Sequence, residues 1–569
     1  MDRRLLLVFA LTFLVIVLFQ PVLKKFLPQP PSPPAQSQSQ TQTAAAPKVS
    51  AQTSQATPQK TLPAVGTKVA SSESETVIEN GLYRITFTNR GAQVKSWVLK
   101  KFDDDQGQPL DLVNRAASAK YGYPLSLWTY DENQRNLLNS ALYVASASGT
   151  QTAPAEVTFE YAEQGWSVRK RFSFDHSYVV HVETSVLYNG GPVTAYPMWP
   201  SGFGDQINAP GYAAGLVESQ SGNSIERTAF KKVSGGATLH GSYNWAGLAD
   251  QYFAAVFIPD NPQEIAAVTL RNPLDIPKDV RKGEQSENVK VDVLGVAVGS
   301  PGGTTSQRMY VGPKELKSLE ATAVPTITGA DPDLRGLVDF GRFSIIARPL
   351  FVWLRWTHGY VHNWGWSIVL QTLIITLALL PLRISSMKSA LKMQKIQPQM
   401  NSIKEKYKKY GMRDPRRQEM NTEIGELMKK EGVNPVGGCL PLVIQMPFLF
   451  AYYGMLASAL DLRHAHWLWI HDLSSRDPWF LLPILLVVSM VATQRMTPQT
   501  GMDPSQQKMM NLMMPLMMGF FFFNLPAGLS LYYAESNLIM IAQQAVMNRT
   551  SLGQEMRELA AKRARKKEK

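Results

Sequence analysis

The sequence predicts a multi-domain membrane protein, in which an α-helical polytopic bundle of six transmembrane helices carries a large all-β domain outside the cytoplasm. Three observations lead to this prediction. Stretches with little or no charge, most of them close to the ~20 residues that cross a bilayer, occur at 5–19, 364–382, 435–460, 478–494, 509–525 and 529–547. A period-two alternation of apolar and polar residues, typical of strands, recurs between the first two stretches. The net charge of +13 is concentrated beside the apolar stretches.

The first apolar stretch is predicted to anchor the chain, so that residues 1–27 form an N-terminal transmembrane segment. It follows a charged start, and residues 20–22 lack the small-x-small pattern of a signal-peptide cleavage site. Residues 28–75 are rich in Pro, Gln, Ser, Thr and Ala. We predict a disordered linker there, because such a composition cannot bury enough apolar surface to fold.

Residues 76–325 are predicted to form one large β-sandwich domain. Apolar residues alternate with polar ones in several runs, as at Tyr83, Ile85 and Phe87, and turn signals such as Asn-Gly separate the runs. Acidic residues are scattered through the domain, and a sugar-hydrolysing enzyme needs a pair of carboxylates. The sequence sets no spacing between these acids, so an enzyme active site in this domain is disfavoured.

The charge distribution predicts the orientation of the bundle. Residues 383–436 hold thirteen Lys and Arg against six Asp and Glu, and residues 549–569 hold eight against three. Basic loops stay on the cytoplasmic side, which puts both termini inside and the β domain outside. On the outer side, residues 326–362 combine arginines, apolar residues and a tryptophan cluster, and are predicted to be an amphipathic helix in the membrane interface.

The core of the bundle, residues 363–548, includes a predicted cytoplasmic helical hairpin at 384–431, and a basic cytoplasmic tail follows at 549–569. Apolar residues recur every three to four positions in the hairpin and leave a basic opposite face. Such a basic surface either meets water and anionic headgroups or docks cytoplasmic partners. The candidate docking residues in the hairpin and the tail are Lys404, Lys406, Lys408, Lys409, Lys562, Arg563, Arg565, Lys566 and Lys567.

Several predicted spans carry polar side chains on one face. In the last span they share a broad arc at 100° per residue, and the second and third spans contribute others. Polar atoms at this depth either hydrogen-bond between helices or line a hydrated cavity. The participation of several spans favours the cavity, whose candidate residues are Gln371, Thr372, Thr376, Gln445, Tyr532, Tyr533, Glu535 and Asn537.

The fifth span and its approach are rich in methionine, an unbranched side chain that adapts to many apolar partners. A surface along Met510, Met513, Met514 and Met517 is therefore a candidate slide for apolar substrates. Lipid contact or core filling is the simpler explanation when these methionines are considered alone.

The sequence lacks the motifs of nucleotide-driven or metal-dependent work. It has no phosphate-binding G-x-x-x-x-G-K-[ST] loop and no H-E-x-x-H zinc motif. Its single cysteine, Cys439, excludes an intrachain disulfide and a cysteine-based zinc site. No enzymatic activity, cofactor or metal is expected. A polytopic small-solute transporter or channel is the alternative class, but such proteins favour internal repeats, and the sequence shows none.

Four motifs in the C-terminal half resemble the YidC/Oxa/Alb family of membrane protein insertases. The third span begins with Asn-Pro-x-Gly-Gly-Cys at 434–439 and continues with Gln-Met-Pro at 445–447. The other motifs are Leu-Trp-Ile-His-Asp-Leu at 468–473, Pro-x-Gly-Leu-x-Leu-Tyr-Tyr at 526–533 and Asn-Trp-Gly at 363–365. The similarity covers about 330–550 in register. The anchor, linker and β domain are similar to Gram-negative members that have a large periplasmic domain.

The resemblance implies an insertase and folding chaperone that moves nascent membrane proteins into the bacterial inner membrane, alone or with the Sec translocon. The implied partners are these nascent chains, the translocon, the lipid bilayer and, through the basic tail, the ribosome, with no small-molecule substrate. The periplasmic domain would be a β-supersandwich, similar to sugar mutarotases but without their activity. The family's groove opens to the cytoplasm and the lipid, and Thr372, Gln445, Met446 and Tyr533 occupy its groove or contact positions.

The chain departs from the family pattern at two groove positions. Most members carry a basic residue, usually Arg, one turn after the position of Thr372, whereas this chain has Thr376. The last span carries Glu535 where the family usually has an apolar residue. The sequence therefore predicts a neutral to mildly acidic groove that works by hydration rather than by attracting acidic substrate tails.

Overall fold

The computed structural model describes residues 66–278, 288–322, 332–410, 414–433, 440–496, 504–551, 553–555 and 558. The side chains of 417, 440–445 and 504–512 lie outside this description. The predicted anchor (1–27), most of the predicted linker (28–75) and the tail candidates Lys562 to Lys567 also lie outside the described residues.

Twenty strands occupy the first half of the described chain. They are β1 (Glu75–Glu79), β2 (Tyr83–Thr88), β3 (Gln93–Asp103), β4 (Pro109–Asp111), β5 (Ser126–Trp128), β6 (Val144–Ala145), β7 (Gly149–Thr152), β8 (Ala155–Glu163), β9 (Trp166–Phe174), β10 (Val179–Tyr188), β11 (Gly191–Pro192), β12 (Tyr196–Trp199), β13 (Leu216–Ser221), β14 (Ser224–Ala229), β15 (Thr238–Gly241), β16 (Trp245–Ala249), β17 (Phe253–Pro259), β18 (Ile265–Pro277), β19 (Asn288–Gly299) and β20 (Thr304–Pro313).

Short helices interrupt the strands, a feature that the period-two pattern did not predict. They are α1 (Arg115–Tyr121), α2 (Glu132–Ser140), α3 (Ala209–Ala213) and α4 (Leu316–Glu320). The first three begin at Asn114, Asp131 and Asn208, whose side chains accept hydrogen bonds from backbone N–H groups of the first turn. Each helix is short enough for the caps to matter as much as any apolar face.

The described strands form three sheets. Their strand orders are β4-β3-β2-β1-β7, β14-β13-β16-β17-β20-β10-β9-β8-β6 with β11 on β10, and β15-β18-β19-β12-β5. The pairing of β1 with β7 is parallel, and the other pairs between these strands are antiparallel. Antiparallel strands joined by short turns suit a sandwich whose sheets bury one face each.

Aromatic side chains fill the space between the sheets. In β10 every second residue from Val180 to Val186 is buried, as the alternation predicts. The ring centroids of Phe87 and Phe172 lie 5.0 Å apart, within the range at which aromatic pairs attract each other. Burial of each such side chain contributes roughly 1.5–3 kcal/mol before entropy is counted, so this core holds the β domain together.

Eight longer helices follow within the described residues. They are α5 (Ser344–Val361), α6 (Trp364–Ala378), α7 (Leu380–Lys406), α8 (Arg416–Lys430), α9 (Leu440–Ser458), α10 (Leu481–Met496), α11 (Pro504–Phe522) and α12 (Ala527–Met547). The last of them packs along α6 and α10, and α5 packs along α9. The C-terminal region is therefore a helical bundle, and α7 and α8 form a hairpin that extends from it.

Two consecutive helices, α6 and α7, meet at a bend of 47°. Pro381 lies in the first turn of α7, where its ring lacks the N–H that would continue the hydrogen bonds of α6. Among the described residues no single helix is both long and apolar enough to cross a membrane, whereas this bent pair meets both conditions together. The end of the predicted span 364–382 and the first arm of the predicted hairpin belong to one helix, α7.

The β domain contacts the loop between α9 and α10 through Arg463. Its guanidinium lies over the rings of Tyr252 and Phe253, 5.8 and 5.6 Å from their centroids. Nearby, the side-chain amide of Gln251 donates a hydrogen bond to the carbonyl oxygen of Ala457 in α9, at 2.8 Å. Side-chain contacts, and not only the connecting chain, therefore join the two parts.

A pair of carboxyl groups, Asp205 and Asp250, lies next to this contact. Oδ1 of Asp250 accepts hydrogen bonds from the backbone N–H groups of Tyr252 (2.8 Å) and Phe253 (2.7 Å). Burial and the negative charge of Asp250 raise the pKa of Asp205 well above its ordinary value, against the opposing effect of Arg463. The protonated form of Asp205 is therefore favoured in the folded chain.

We expect Asp205 to lower the thermal stability of the full chain in detergent increasingly as the pH rises above about 4, the ordinary pKa of an aspartate. In the unfolded chain an aspartate has a pKa of about 3.9 and loses its proton above that pH. In the folded chain Asp205 has a raised pKa and keeps its proton, so deprotonation with rising pH favours the unfolded chain. Asp205→Asn should flatten this slope and raise the midpoint at pH 8. Asp103→Asn is the control, because Asp103 is exposed and forms no ion pair with the described residues. A slope that Asp205→Asn leaves unchanged would contradict the assignment.

Candidate functional site

A buried glutamine joins three helices near the centre of the bundle. Gln371 in α6 is fully buried, and its side-chain amide donates to the carbonyl oxygen of Leu350 in α5 at 2.9 Å. Its Oε1 accepts from the hydroxyl of Tyr452 in α9 at 2.6 Å. The ring of Tyr452 stacks on that of Tyr532 in α12, with centroids 4.0 Å apart. Two candidate cavity residues, Gln371 and Tyr532, thus take part in helix packing.

A second polar contact links α6 to α12 one position further along. Thr372 is fully buried, and its hydroxyl donates to the carbonyl oxygen of Ile368 at 2.7 Å. Glu535 in α12 is half-buried and lies near the Thr372 side chain. Its Oε2 is buried and has no hydrogen-bond partner among the described residues. Glu535 therefore brings an incompletely satisfied carboxyl group into the bundle.

Arg383 lies near Thr376, the position at which the family usually has an arginine. The hydroxyl of Thr376 donates to the carbonyl oxygen of Thr372 at 2.7 Å, and the carbonyl oxygen of Thr376 accepts from the side-chain amide of Gln543 in α12 at 3.3 Å. Oε1 of Gln543 in turn accepts from Arg383 at 2.9 Å. A cation is thus held against α12 from the first turn of α7.

Sequence reasoning missed Arg383 because the residue was counted with the basic loop 383–436. The sequence did contain a signal for Arg383. It lies seven residues after Thr376, and seven residues are about two helical turns, which would place both residues on the same face of a helix. The bend between α6 and α7 made this spacing less informative before the structure was known.

The remaining cavity candidates lie closer to the surface of the bundle. Tyr533 is half-buried and meets the ring of Phe522, at the end of α11, edge to face with centroids 4.8 Å apart. Asn537 is also half-buried, and Met446 in α9 is exposed. The side chain of Gln445 lies outside the described part of α9.

The methionines of α11 lie on a broad exposed apolar face. Met513, Met514 and Met517 are exposed, together with other large apolar residues of the same helix, namely Leu516, Phe520 and Phe521. The side chain of Met510 lies outside the description. A contiguous apolar face of this size needs lipid or an apolar partner to cover it.

The hairpin lysines are partly neutralised by acids of the same hairpin. Lys406 pairs with Glu423 at 3.2 Å, and Lys408 pairs with Glu405 at 3.2 Å. Lys404 and Lys409 make no ion pair with the described residues, and Lys409 lies over a tyrosine ring. Exposed pairs of this kind contribute about 0–1 kcal/mol, so they leave the lysines available to a partner.

Comparison with known proteins accounts for both parts of the chain. The family model of the YidC periplasmic domain matches residues 75–353, and the model of the 60Kd inner membrane protein matches residues 356–554. The membrane protein insertase YidC of Cupriavidus necator is 33% identical over 522 residues, which cover 89% of this chain and 87% of the relative. YidC of Bordetella avium is 32% identical over 494 residues, which cover 84% and 83%.

These similarities define an inner-membrane class of protein that combines a periplasmic β-sandwich domain with a C-terminal helical region. The chain belongs to the YidC family of membrane protein insertases, which confirms the resemblance seen in the sequence motifs. Its relatives are named as insertases and not as enzymes or transporters.

Proposed function

We propose that this protein inserts nascent membrane proteins into the inner membrane and assists their folding. Its family supports the activity. The observation that carries the mechanism is the arrangement of α12, which presents half-buried polar groups at Glu535 and Asn537 and contacts the end of α11, a helix with an exposed apolar face. The polar tail of a substrate can then contact the polar groups of α12, while its apolar segment contacts the exposed face of α11.

The polar groups lower the free energy of carrying a substrate tail into the bilayer. A charged side chain costs roughly 2.5–3.5 kcal/mol or more at the centre of a membrane helix. Thr376, Glu535 and Asn537 would offer the tail hydrogen bonds and bound water, while Gln371 and Tyr532 maintain the packing behind them. Burial of the apolar segment in lipid, worth roughly 25 cal/mol per Å², then drives release. No covalent bond changes, and no nucleotide is needed.

The proposed topology has six transmembrane helices, with both termini in the cytoplasm and the β domain in the periplasm. The basic hairpin α7–α8 supports this orientation, since basic segments remain inside. We assign its free lysines, with the basic tail, to docking of the ribosome and the Sec translocon. A small-solute transporter is disfavoured because the relatives are insertases.

Site-specific crosslinking tests this function. A photoreactive residue at Met446 or Met517 should crosslink to a ribosome-bound nascent membrane protein, whereas one at Val488, an exposed residue of α10, should crosslink mainly to lipid. A probe at Lys404 should report the ribosome or translocon. Equal nascent-chain crosslinking from Val488 and Met446 would refute the proposed path, and its absence from both Met446 and Met517 would refute the insertase mechanism.

A further inference from the structure

A large open cavity separates the β domain from the helix that leads into the bundle. Its volume is about 1040 Å³. Strand β14 supplies Ile225 and Arg227, and the segment from Arg335 to Trp356 supplies the opposite wall. This cavity does not belong to the groove, the methionine face or the hairpin described above. The cavity is therefore separate from the surfaces proposed for insertion.

The position of α5 puts this cavity at the outer surface of the membrane, an argument that rests on the proposed topology. Only His362 and Asn363 separate the end of α5 from the start of α6. The side chain of Gln371, two turns into α6, bonds the carbonyl oxygen of Leu350 in α5. The helix α5 therefore lies beside the outer part of α6, at the depth where phospholipid headgroups meet acyl chains.

One face of α5 is apolar and uncovered. Ile345, Val352, Trp356 and Tyr360 are 84%, 56%, 61% and 70% exposed, and their spacing of seven, four and four residues aligns them on one side. Three of these residues, Ile345, Val352 and Trp356, also line the cavity. Acyl chains would cover such a stripe, and a tryptophan at its edge suits the headgroup level.

The arginines around the cavity differ in their partners. Arg227 forms ion pairs with Glu218 and Asp339, at 3.5 and 3.7 Å. Arg335 forms an ion pair with Asp333 at 2.8 Å. Two of the three cavity arginines are thus already compensated.

The third cavity arginine, Arg348, forms no ion pair among the described residues, although Asp333, the partner of Arg335, is near enough to interact with it electrostatically. Arg348 is exposed, and no carboxylate of the described residues lies within ion-pair distance of it. It projects from α5 three residues after Ile345 and four before Val352. The cavity therefore combines an exposed guanidinium without an ion-pair partner, which matches the geometry of a phosphate group, with an adjoining apolar stripe.

We propose that this cavity binds a phospholipid of the outer leaflet, with the phosphate group on Arg348 and the acyl chains along Ile345 and Val352. An anionic lipid such as phosphatidylglycerol fits best, because the headgroup adds no positive charge beside the arginines. Free inorganic phosphate shares the contact with Arg348 but leaves the stripe uncovered. The bound lipid would fill the space between the β domain and α5.

Native mass spectrometry of the full chain in detergent, titrated with short-chain phosphatidylglycerol, tests the proposal. Arg348→Ala should weaken retention of the lipid at least fivefold, and Arg348→Lys should restore part of it. Arg342→Ala is the matched control, because Arg342 is an exposed arginine just before α5 that does not line the cavity. Both variants change exposed side chains, so folding should be preserved.

Two results would overturn the proposal. Lipid retention that is equal in Arg348→Ala and Arg342→Ala would remove Arg348 from the site. Inorganic phosphate that displaces the lipid at similar concentrations would show that the acyl stripe contributes nothing and that an anion, not a lipid, is bound. Retention is measured without any insertion step, so this failure is distinct from a failure of the crosslinking that tests insertion.

Discussion

Gly365→Ala is expected to lower the free energy of unfolding by about 1–3 kcal/mol and to impair insertion. A Cβ at this position would lie 2.1 Å from Cδ1 and 2.2 Å from Cγ of Trp467. The indole cannot move aside easily, because Trp467 is buried and exchanges two backbone hydrogen bonds of 2.8 Å with Ile470. Its ring also lies 5.6 Å from Trp366 and 5.7 Å from Trp469 between centroids.

The matched control is Gly359→Ala in α5, where an added Cβ would meet nothing within 4 Å. That change should be neutral or stabilising, because alanine favours a helix by up to about 1 kcal/mol over glycine. Chemical unfolding in detergent and insertion into vesicles measure both variants. Trp467→Leu combined with Gly365→Ala should recover part of the loss. Equal stability of the two alanine variants would show that the outer loop is not clamped to α6 at Gly365.

Changing the charge of the groove is expected to change which substrate tails are inserted. At a pH that ionises Glu535, the wild-type groove should insert a neutral-tailed substrate up to about tenfold better than an acidic-tailed one, because tenfold corresponds to only about 1.4 kcal/mol. A charge pair a few Å apart near a protein surface supplies that much. Glu535→Gln should remove the discrimination. Thr376→Arg should be tolerated and should favour acidic tails, since it adds a cation on the side that already holds Arg383.

Reconstituted insertion of substrates that differ only in tail charge measures this effect. Thr493→Arg is the control, because Thr493 in α10 is also half-buried and its hydroxyl also donates to the carbonyl oxygen four residues earlier, at 2.8 Å. It should not alter the preference for tail charge. Loss of insertion for every substrate in Glu535→Gln would contradict the hydration mechanism and would give this carboxyl a specific role.

Local patterns predicted most of the secondary structure because they depend on neighbours along the chain. The alternation in β10 and the apolar stretches near α9 to α12 follow directly from the sequence. The three capped helices of the β domain were missed, since they are short and their stabilising contacts come from single side chains such as Asn114. The continuous helix α7 was divided in the prediction, because the charge of Arg383 ends the apolar stretch that defined the span.

In the candidate site, the sequence patterns did not predict the contacts between residues that are far apart along the chain. Gln371 and Tyr452 are 81 residues apart, and only the fold, which brings these side chains of α6 and α9 together, reveals their hydrogen bond. Helical periodicity assigns a polar residue to a face, but it does not say whether that face meets water or another helix. The polar arc therefore divides into packed residues, such as Gln371, and half-buried ones, such as Glu535 and Asn537.

The sequence by itself determined the family, the two-part architecture and the absence of the expected arginine at Thr376, because motifs and composition are local properties. Only the tertiary structure decided that Arg383 reaches α12 through Gln543, that Arg463 packs on the β domain and that Arg348 faces an open cavity. The physical reason is that the partners of a charge are set by the distances between folded segments, which the order of residues along the chain does not specify.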